Sequence, residues 1–102
     1  MTETIEHLDR LVSFNTVSTR SNLDLIAYIE TFLRERGFRL TRLPDATGLK
    51  VGLVASIGQN DGGVVLSGHT DVVPVDGQVW TKDPFALTRE GDRLFGRGTT
   101  DM

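Results

Sequence analysis

The sequence contains no cysteine, no long apolar run and no excess of basic charge. The absence of cysteine among 102 residues excludes disulfides and thiolate metal sites. Any metal must therefore be held by imidazole and carboxylate groups, from His7, His69 and the 14 acidic residues. A formal net charge of −3 argues against a nucleic-acid partner, since such surfaces are usually basic. No apolar run approaches the roughly 20 residues that cross a bilayer, so no membrane partner is expected.

The remaining composition is that of an ordinary globular protein. A length of 102 residues suits one small domain, and 38% hydrophobic with 25% charged residues argues against disorder. Residues 1–6 have neither the basic start nor the apolar core of a signal peptide. We therefore expect a cytoplasmic protein.

Helical periodicity occurs twice near the N-terminus. Apolar residues at helical spacing predict an amphipathic helix over about 3–14. A second helix is predicted to begin at Ser21 as its N-cap, with Asp24 in the first turn, and to end near Gly37. Its apolar stripe comprises Leu25, Ile26, Ile29, Phe32 and Leu33.

Strand patterns follow the second helix. Alternating residues at 38–43 predict a half-buried edge strand, and 49–57 predicts another. The continuous apolar run Val64–Leu66 is typical of a strand buried on both faces. Residues 85–88 and 93–95 predict a hairpin. The order of elements predicts the α/β class, a mixed β-sheet with helices packed on it.

Two helices can cover only one face of such a sheet. A strand as apolar as Val64–Leu66 needs cover on both faces. We therefore expect these 102 residues, made alone, to be marginally stable or to associate with themselves.

Candidate ligands follow the apolar runs. His69 and Asp71 lie just after Val64–Leu66, and they share a face if the strand continues that far. Ligands usually bind at this end of the strands in α/β sheets. Asp101 lies 32 residues after His69 (101 − 69), behind Gly96-Arg97-Gly98, whose glycines allow a close backbone approach. Imidazole and carboxylate suit Zn²⁺, Co²⁺ or Mn²⁺, and one acid can bind the metal while the other orients the histidine.

Each of these features also has an ordinary interpretation. A His-Thr-Asp tripeptide by itself is more often a strand end with a capping acid. Residues 96–100 lack the lysine and spacing of a phosphate-binding loop. His7 is expected to face solvent from the first helix, and Trp80 and Phe85 are expected to be packing residues. The turn-rich segment 74–84 contains Asp83-Pro84, which is most simply a turn.

Three sequence blocks, taken in order, favour the metal-site interpretation over these ordinary ones. Residues 67–74 (Ser-Gly-His-Thr-Asp-Val-Val-Pro), 80–85 and 94–102 resemble the dinuclear-zinc aminoacylase and carboxypeptidase family of metallopeptidases. Residues 11–18 also resemble the end of that family's first helix. The resemblance implies a zinc-aminopeptidase-like catalytic domain. We expect residues 1–102 to be its N-terminal segment, incomplete and without the family's lid domain.

The resemblance also assigns roles to residues. His69 resembles a histidine ligand of one metal, and Asp101 resembles the carboxylate that bridges both metals. Asp71 resembles the catalytic-site acid that clamps the histidine. The family often has a cis peptide after the bridging acid, here Asp101-Met102. The family's general-base glutamate and its remaining ligands match nothing here, so we expect the segment alone to be inactive.

The implied activity is hydrolysis of an N-acyl amino acid by a metal-activated water, with two Zn²⁺ ions per site or Co²⁺ in their place. The resemblance is greatest to members that remove the acetyl group from N-acetyl-ornithine in arginine biosynthesis. Members that act on N-succinyl-diaminopimelate or on dipeptides remain alternatives. The family often forms homodimers through the lid domain. A non-catalytic remnant or interaction module is the alternative from another class.

Overall fold

The computed structural model describes residues 2–59 and 61–101. The chain divides into two compact units, which we call the first unit (the described parts of 1–20 and 70–102) and the second unit (21–69). The elements in chain order are α1 (Glu3–Ser13), α2 (Leu23–Glu35), β1 (Arg39–Pro44), β2 (Val51–Ser56), β3 (Thr88–Glu90) and β4 (Arg93–Phe95). The α/β class predicted from the sequence is confirmed.

Helix α1 belongs to the first unit and agrees with its prediction. Thr2 is the N-cap, and its hydroxyl oxygen accepts a hydrogen bond from the Ile5 N–H at 3.4 Å. Glu3 and Glu6 lie in the first turn, where the helix dipole favours acids. Val12 is the buried residue of its apolar face.

Helix α2 begins one residue later than the sequence indicated. Asn22, and not Ser21, is the N-cap, although the Ser21 hydroxyl accepts from the Leu23 N–H at 3.2 Å. The Asn22 side chain makes no cap bond because its amide pairs with the backbone of Val51, donating to the carbonyl and accepting from the N–H, both at 2.9 Å. Gly37, with φ +84°, lies just beyond the end of the helix as predicted.

An antiparallel hairpin of β1 and β2 forms the rest of the regular secondary structure of the second unit. Its register runs from Arg39 opposite Ser56 to Pro44 opposite Val51, and α2 packs against it. The turn is closed by Asp45, whose carboxylate accepts from the Thr47 hydroxyl at 2.8 Å. The core of this unit comprises Leu25, Ile26 and Val51. Both strands were predicted, the first from alternation, and both are confirmed.

The prediction of a buried strand at Val64–Leu66 is wrong. These three residues belong to no strand in the described chain, and they are 88%, 91% and 93% exposed. A strand buried on both faces needs a hydrogen-bonded neighbour and a layer above and below it. Among the described residues of the second unit, the sheet comprises β1 and β2 alone, and α2 packs against this hairpin, so neither a paired strand nor a second layer is supplied to residues 64–66.

The first unit is mostly irregular. β3 and β4 pair as a hairpin, as predicted, but its first strand is Thr88–Glu90 and not 85–88. Thr88 lies opposite Phe95, and Gly91 in the turn has φ +62°. Val17 and Val72 form an isolated parallel bridge. Among the described residues, no helix is long and apolar enough to cross a membrane.

Candidate active site

The three candidate site residues lie on irregular backbone and are exposed. Residues 69–71 are not part of a strand, so the alternation argument for a shared face of His69 and Asp71 does not apply here. Asp71 and Asp101 belong to the first unit, and His69 is the last residue of the second.

Asp71 lies on a segment that is held by the residues after α1. The Ser18 N–H donates to the Val72 carbonyl at 3.0 Å, and the Val72 N–H donates to the Thr16 carbonyl at 3.1 Å. The Thr16 hydroxyl donates to the Thr70 carbonyl at 2.6 Å. Thr16 and Val17 are buried, at 6% and 8% exposure. The backbone on both sides of Asp71 is therefore fixed to residues 16–18.

The Asp71 carboxylate also has a side-chain partner among residues 16–18. The Ser18 hydroxyl donates to Asp71 Oδ2 at 2.8 Å and also lies 3.3 Å from the Val72 carbonyl oxygen. A hydroxyl has one proton, and a hydrogen bond to a charged acceptor is the stronger of two such choices. The shorter contact to Asp71 is therefore the main one.

Two glycines allow the segment before Asp101 to approach this region, as the sequence predicted. A Cβ on Gly96 would lie 2.9 Å from Val12 Cγ1, which real Cβ atoms do not tolerate. A Cβ on Gly98 would lie 3.2 Å from Val72 Cγ1, and Gly98 has φ +90°. The segment that leads to Asp101 thus passes directly against Val72, the residue that follows Asp71.

Arg97 lies between these glycines and contacts several residues of the irregular segment 74–84. Its guanidinium donates to Gln78 Oε1 at 2.7 Å and lies 4.8 Å from the centre of the Trp80 ring. Its backbone N–H donates to the Pro84 carbonyl at 2.7 Å. The segment also contains the predicted turn at Asp83, whose carboxylate accepts from the Phe85 N–H at 2.9 Å.

A cavity of about 470 Å³ lies beside this segment in the first unit. Trp80, Lys82 and Phe95 line it together with Thr99 and Thr100, which immediately precede Asp101. Lys82 Nζ lies 4.4 Å from the centre of the Phe95 ring and 3.0 Å from Glu90 Oε1. Trp80 is therefore both a packing partner of Arg97 and a wall of this cavity.

The other candidates are away from this region or outside the described residues. His7 lies on α1, where its Nε2 is 3.6 Å from Glu3 Oε1 and its side chain is 32% exposed. The expected cis peptide between Asp101 and Met102 involves a residue outside 2–59 and 61–101. Within those ranges, no three His, Asp or Glu residues are grouped closely enough to hold a metal ion.

The donor chemistry nevertheless fits the predicted metal. One imidazole and two carboxylates are the ligand types that Zn²⁺ and Co²⁺ accept. His69 and Asp101 would supply two ligands, and Asp71 would supply the acceptor that fixes the imidazole. A zinc site takes four ligands when closed, or three protein ligands and a water when catalytic, so these residues can form only part of one.

Three polar residues around Asp71 and Asp101 were not singled out as site residues from the sequence. They are Thr16, Ser18 and Arg97, whose contacts are described above. In the sequence, Thr16 and Ser18 belong to the block 11–18 that resembles the end of the family's first helix, and Arg97 lies between two glycines. The resemblance of the block 11–18 to the family was the signal that could have directed attention to Thr16 and Ser18.

Comparison with known proteins identifies relatives of the chain. Residues 65–102 match the model of peptidase family M20/M25/M40. The chain is 45% identical over 84 residues to acetylornithine deacetylase of Shigella sonnei (strain Ss046), which is 81% of this chain. It is also 45% identical over 85 residues to acetylornithine deacetylase of Photorhabdus laumondii subsp. laumondii, again 81% of this chain. The resemblance stated from the sequence blocks is confirmed.

The matches cover most of this chain and a small part of the relatives. The chain spans 22% of the length of each of these two curated proteins. What the relatives do as whole proteins therefore depends on much sequence that has no counterpart in these 102 residues.

Proposed function

We propose that residues 1–102 are the N-terminal segment of the catalytic domain of a metal-dependent hydrolase that removes the acetyl group from N-acetyl-ornithine. The observation that carries this proposal is 45% identity to two acetylornithine deacetylases over 81% of the chain. The family match at 65–102 supports it, because that segment contains all three candidate site residues. The role in arginine biosynthesis follows from the same substrate.

The residues of this chain would hold part of the metal site. We propose that His69 contributes a ring nitrogen to one metal and that Asp101 contributes the carboxylate shared by two. Asp71 would accept the N–H of the other His69 nitrogen, which fixes the tautomer and the ring orientation. Two bound Zn²⁺ or Co²⁺ ions would supply a water that is acidic enough to act as hydroxide near neutral pH, and a Lewis acid for the amide carbonyl.

Proton transfer would not be performed by these residues. The family's general base is a glutamate, and no residue of this chain matches it. The contribution of residues 1–102 is thus to bind and orient metal ligands, with Asp71 held by the residues 16–18 that follow α1. We further infer a small-molecule substrate, a cytoplasmic location and a homodimeric parent, and light scattering of the complete protein would test the last.

The test uses the complete gene product that contains this sequence. We expect it to hydrolyse N-acetyl-ornithine, to lose activity with a chelator and to regain it with Zn²⁺ or Co²⁺. His69→Ala and Asp101→Ala should each lower kcat/KM at least about 100-fold, since changing even the partners of metal ligands costs 10–100-fold. His7→Ala is the matched control, because it removes the other histidine from the surface of α1, and it should have no effect.

Other outcomes would decide between the alternatives. Faster hydrolysis of N-succinyl-diaminopimelate or of a dipeptide would identify another member activity of the family. Absence of any metal-dependent hydrolysis would favour the non-catalytic interpretation. The 102-residue chain alone should show no turnover, and turnover that His69→Ala abolishes would contradict the proposal that the base lies outside it.

A further inference from the structure

We propose that Ser18 is a positioning residue for the Asp71 carboxylate and, through it, for the His69 imidazole. This inference rests on the proposed function, in which Asp71 orients a metal-binding histidine. Its basis is the hydrogen bond from the Ser18 hydroxyl to Asp71 Oδ2 at 2.8 Å, between residues 53 positions apart.

The position of the Ser18 hydroxyl is set by the backbone. The parallel bridge between Val17 and Val72 has a hydrogen bond on each side, from Val72 N–H to the Thr16 carbonyl and from Ser18 N–H to the Val72 carbonyl. Val17 is buried, at 8% exposure, so this paired backbone is packed within the unit. Ser18 and Asp71 therefore face each other because their backbones are paired next to them.

The bond would constrain the direction of the carboxylate. An aspartate side chain can rotate about its terminal bond over a broad range. A charge-assisted bond to one oxygen restricts this rotation and thereby sets where the second oxygen points. The orientation of a carboxylate that holds a histidine determines the orientation of the imidazole, and hence the geometry and affinity of the metal.

The contact is exposed, so its effect should be moderate. Ser18 and Asp71 are both exposed residues, and water can replace part of a lost hydrogen bond. We therefore expect an effect near the lower end of the 10–100-fold range that is typical for partners of metal ligands, about tenfold.

The experiment compares three variants of the complete gene product. Ser18→Ala removes the hydroxyl, Ser18→Thr keeps it, and Ser13→Ala removes an exposed serine hydroxyl of the same unit that donates to the Arg10 carbonyl at 2.6 Å. Metal affinity is measured by competition of Co²⁺ and Zn²⁺ with a chromophoric chelator. Values of kcat and KM for N-acetyl-ornithine and the unfolding of the metal-free protein are measured in parallel.

The expected result is specific to positioning. Ser18→Ala should weaken metal affinity and lower kcat about tenfold, with KM within about twofold because Ser18 is not proposed to touch the substrate. Ser18→Thr should recover most of both losses, and Ser13→Ala should match the wild type.

Several outcomes would overturn the proposal. Unchanged metal affinity in Ser18→Ala would overturn it. If the metal-free variant also unfolds more easily while its metal affinity is unchanged, Ser18 has a purely structural role. Failure of threonine to restore affinity would overturn the proposal as well. A wild-type protein that binds no metal overturns this inference and the proposed function together. A wild type that hydrolyses N-acetyl-ornithine while Ser18→Ala is unaffected overturns this inference alone.

Discussion

Each of the two units of the chain is stabilised internally by a different kind of interaction. The second unit is a helix packed on a two-stranded antiparallel hairpin, with an apolar core that includes Ile26 and Val51. The first unit has one helix and a short hairpin, and its candidate site residues lie on loops. Those loops are joined by individual hydrogen bonds from Thr16, Ser18 and Arg97.

The difference shows how each unit depends on its sequence. A backbone ladder forms with many different sequences, because its bonds come from the main chain. The loops around Asp71 depend on particular hydroxyl and guanidinium groups, each of which one substitution can remove. Binding and catalytic residues are often found on loops that a rigid scaffold positions. The variants below test this contrast in the complete protein, with amide hydrogen exchange reporting on each unit.

The largest effect is expected in the apolar core of the second unit. Ile26→Ala should destabilise the protein by about 2–5 kcal/mol, because Ile26 is 4% exposed and its loss leaves a cavity. Amides of β1 and β2 should lose protection most. Ile29→Ala makes the same change at a half-buried position of α2 and should cost less. Equal costs at both positions would show that Ile26 is not the centre of this core.

A smaller and more local effect is expected in the first unit. Thr16→Val keeps the shape of the side chain but removes the 2.6 Å hydrogen bond to the Thr70 carbonyl, which should cost about 1–2 kcal/mol. Faster exchange is expected at the Ser18 and Val72 amides, with little change in β1 and β2. Thr31→Val, on the exposed face of α2, is the control and should change stability by less than about 0.5 kcal/mol. An equal loss of amide protection in both units would contradict a local effect that is confined to the first unit.

The smallest effect is expected from an ion pair of the second unit, and it depends on pH. Glu30 accepts hydrogen bonds from Arg42 Nε, at 2.8 Å, and from Arg42 Nη2, and these bonds hold the pKa of the Glu30 carboxyl below its ordinary value. A carboxyl whose pKa is lower in the folded state stabilises the protein above its ordinary pKa of 4.5, and this contribution is lost as pH falls below that value.

The test compares unfolding at neutral pH and near pH 4. Glu30→Gln should reduce the loss of stability on acidification, and Arg42→Met should do the same because it removes the cause of the shift. Arg39→Met is the control from the same strand, since the Arg39 guanidinium donates to the Gly58 carbonyl. An unchanged pH dependence in both Glu30→Gln and Arg42→Met would exclude a role for this pair.

Local patterns were sufficient to predict most regular elements. Periodicity located α1, α2 and both strands of the first hairpin within about two residues. The predicted N-cap at Ser21 was wrong by one residue. The side-chain amide of the actual N-cap, Asn22, pairs with Val51, 29 residues away, and no local pattern contains that partner. The prediction of a buried strand at Val64–Leu66 failed for a related reason. Apolar composition indicates a preference for burial, but it cannot supply the layers that bury a strand.

The set of candidate site residues stays a prediction from the sequence, and the arrangement around Asp71 was not predictable from it. His69, Asp71 and Asp101 follow from residue type and from the order of the sequence blocks, and the glycines before Asp101 indicated a close approach that Gly96 and Gly98 both show. The contact between Ser18 and Asp71 was not predictable, because a serine after a helix has many ordinary uses. Only its distance of 2.8 Å from Asp71 distinguishes it.

By itself, the sequence determined the helices, the first hairpin and the resemblance to a metallopeptidase family, because each depends on residue type and on short-range spacing. The tertiary structure alone decided that Val17 pairs with Val72, that Ser18 meets Asp71, and that Gly98 lies against Val72. Those contacts join residues between 26 and 55 positions apart (98 − 72 and 72 − 17). Their formation depends on the path of the whole chain, and no local preference specifies it.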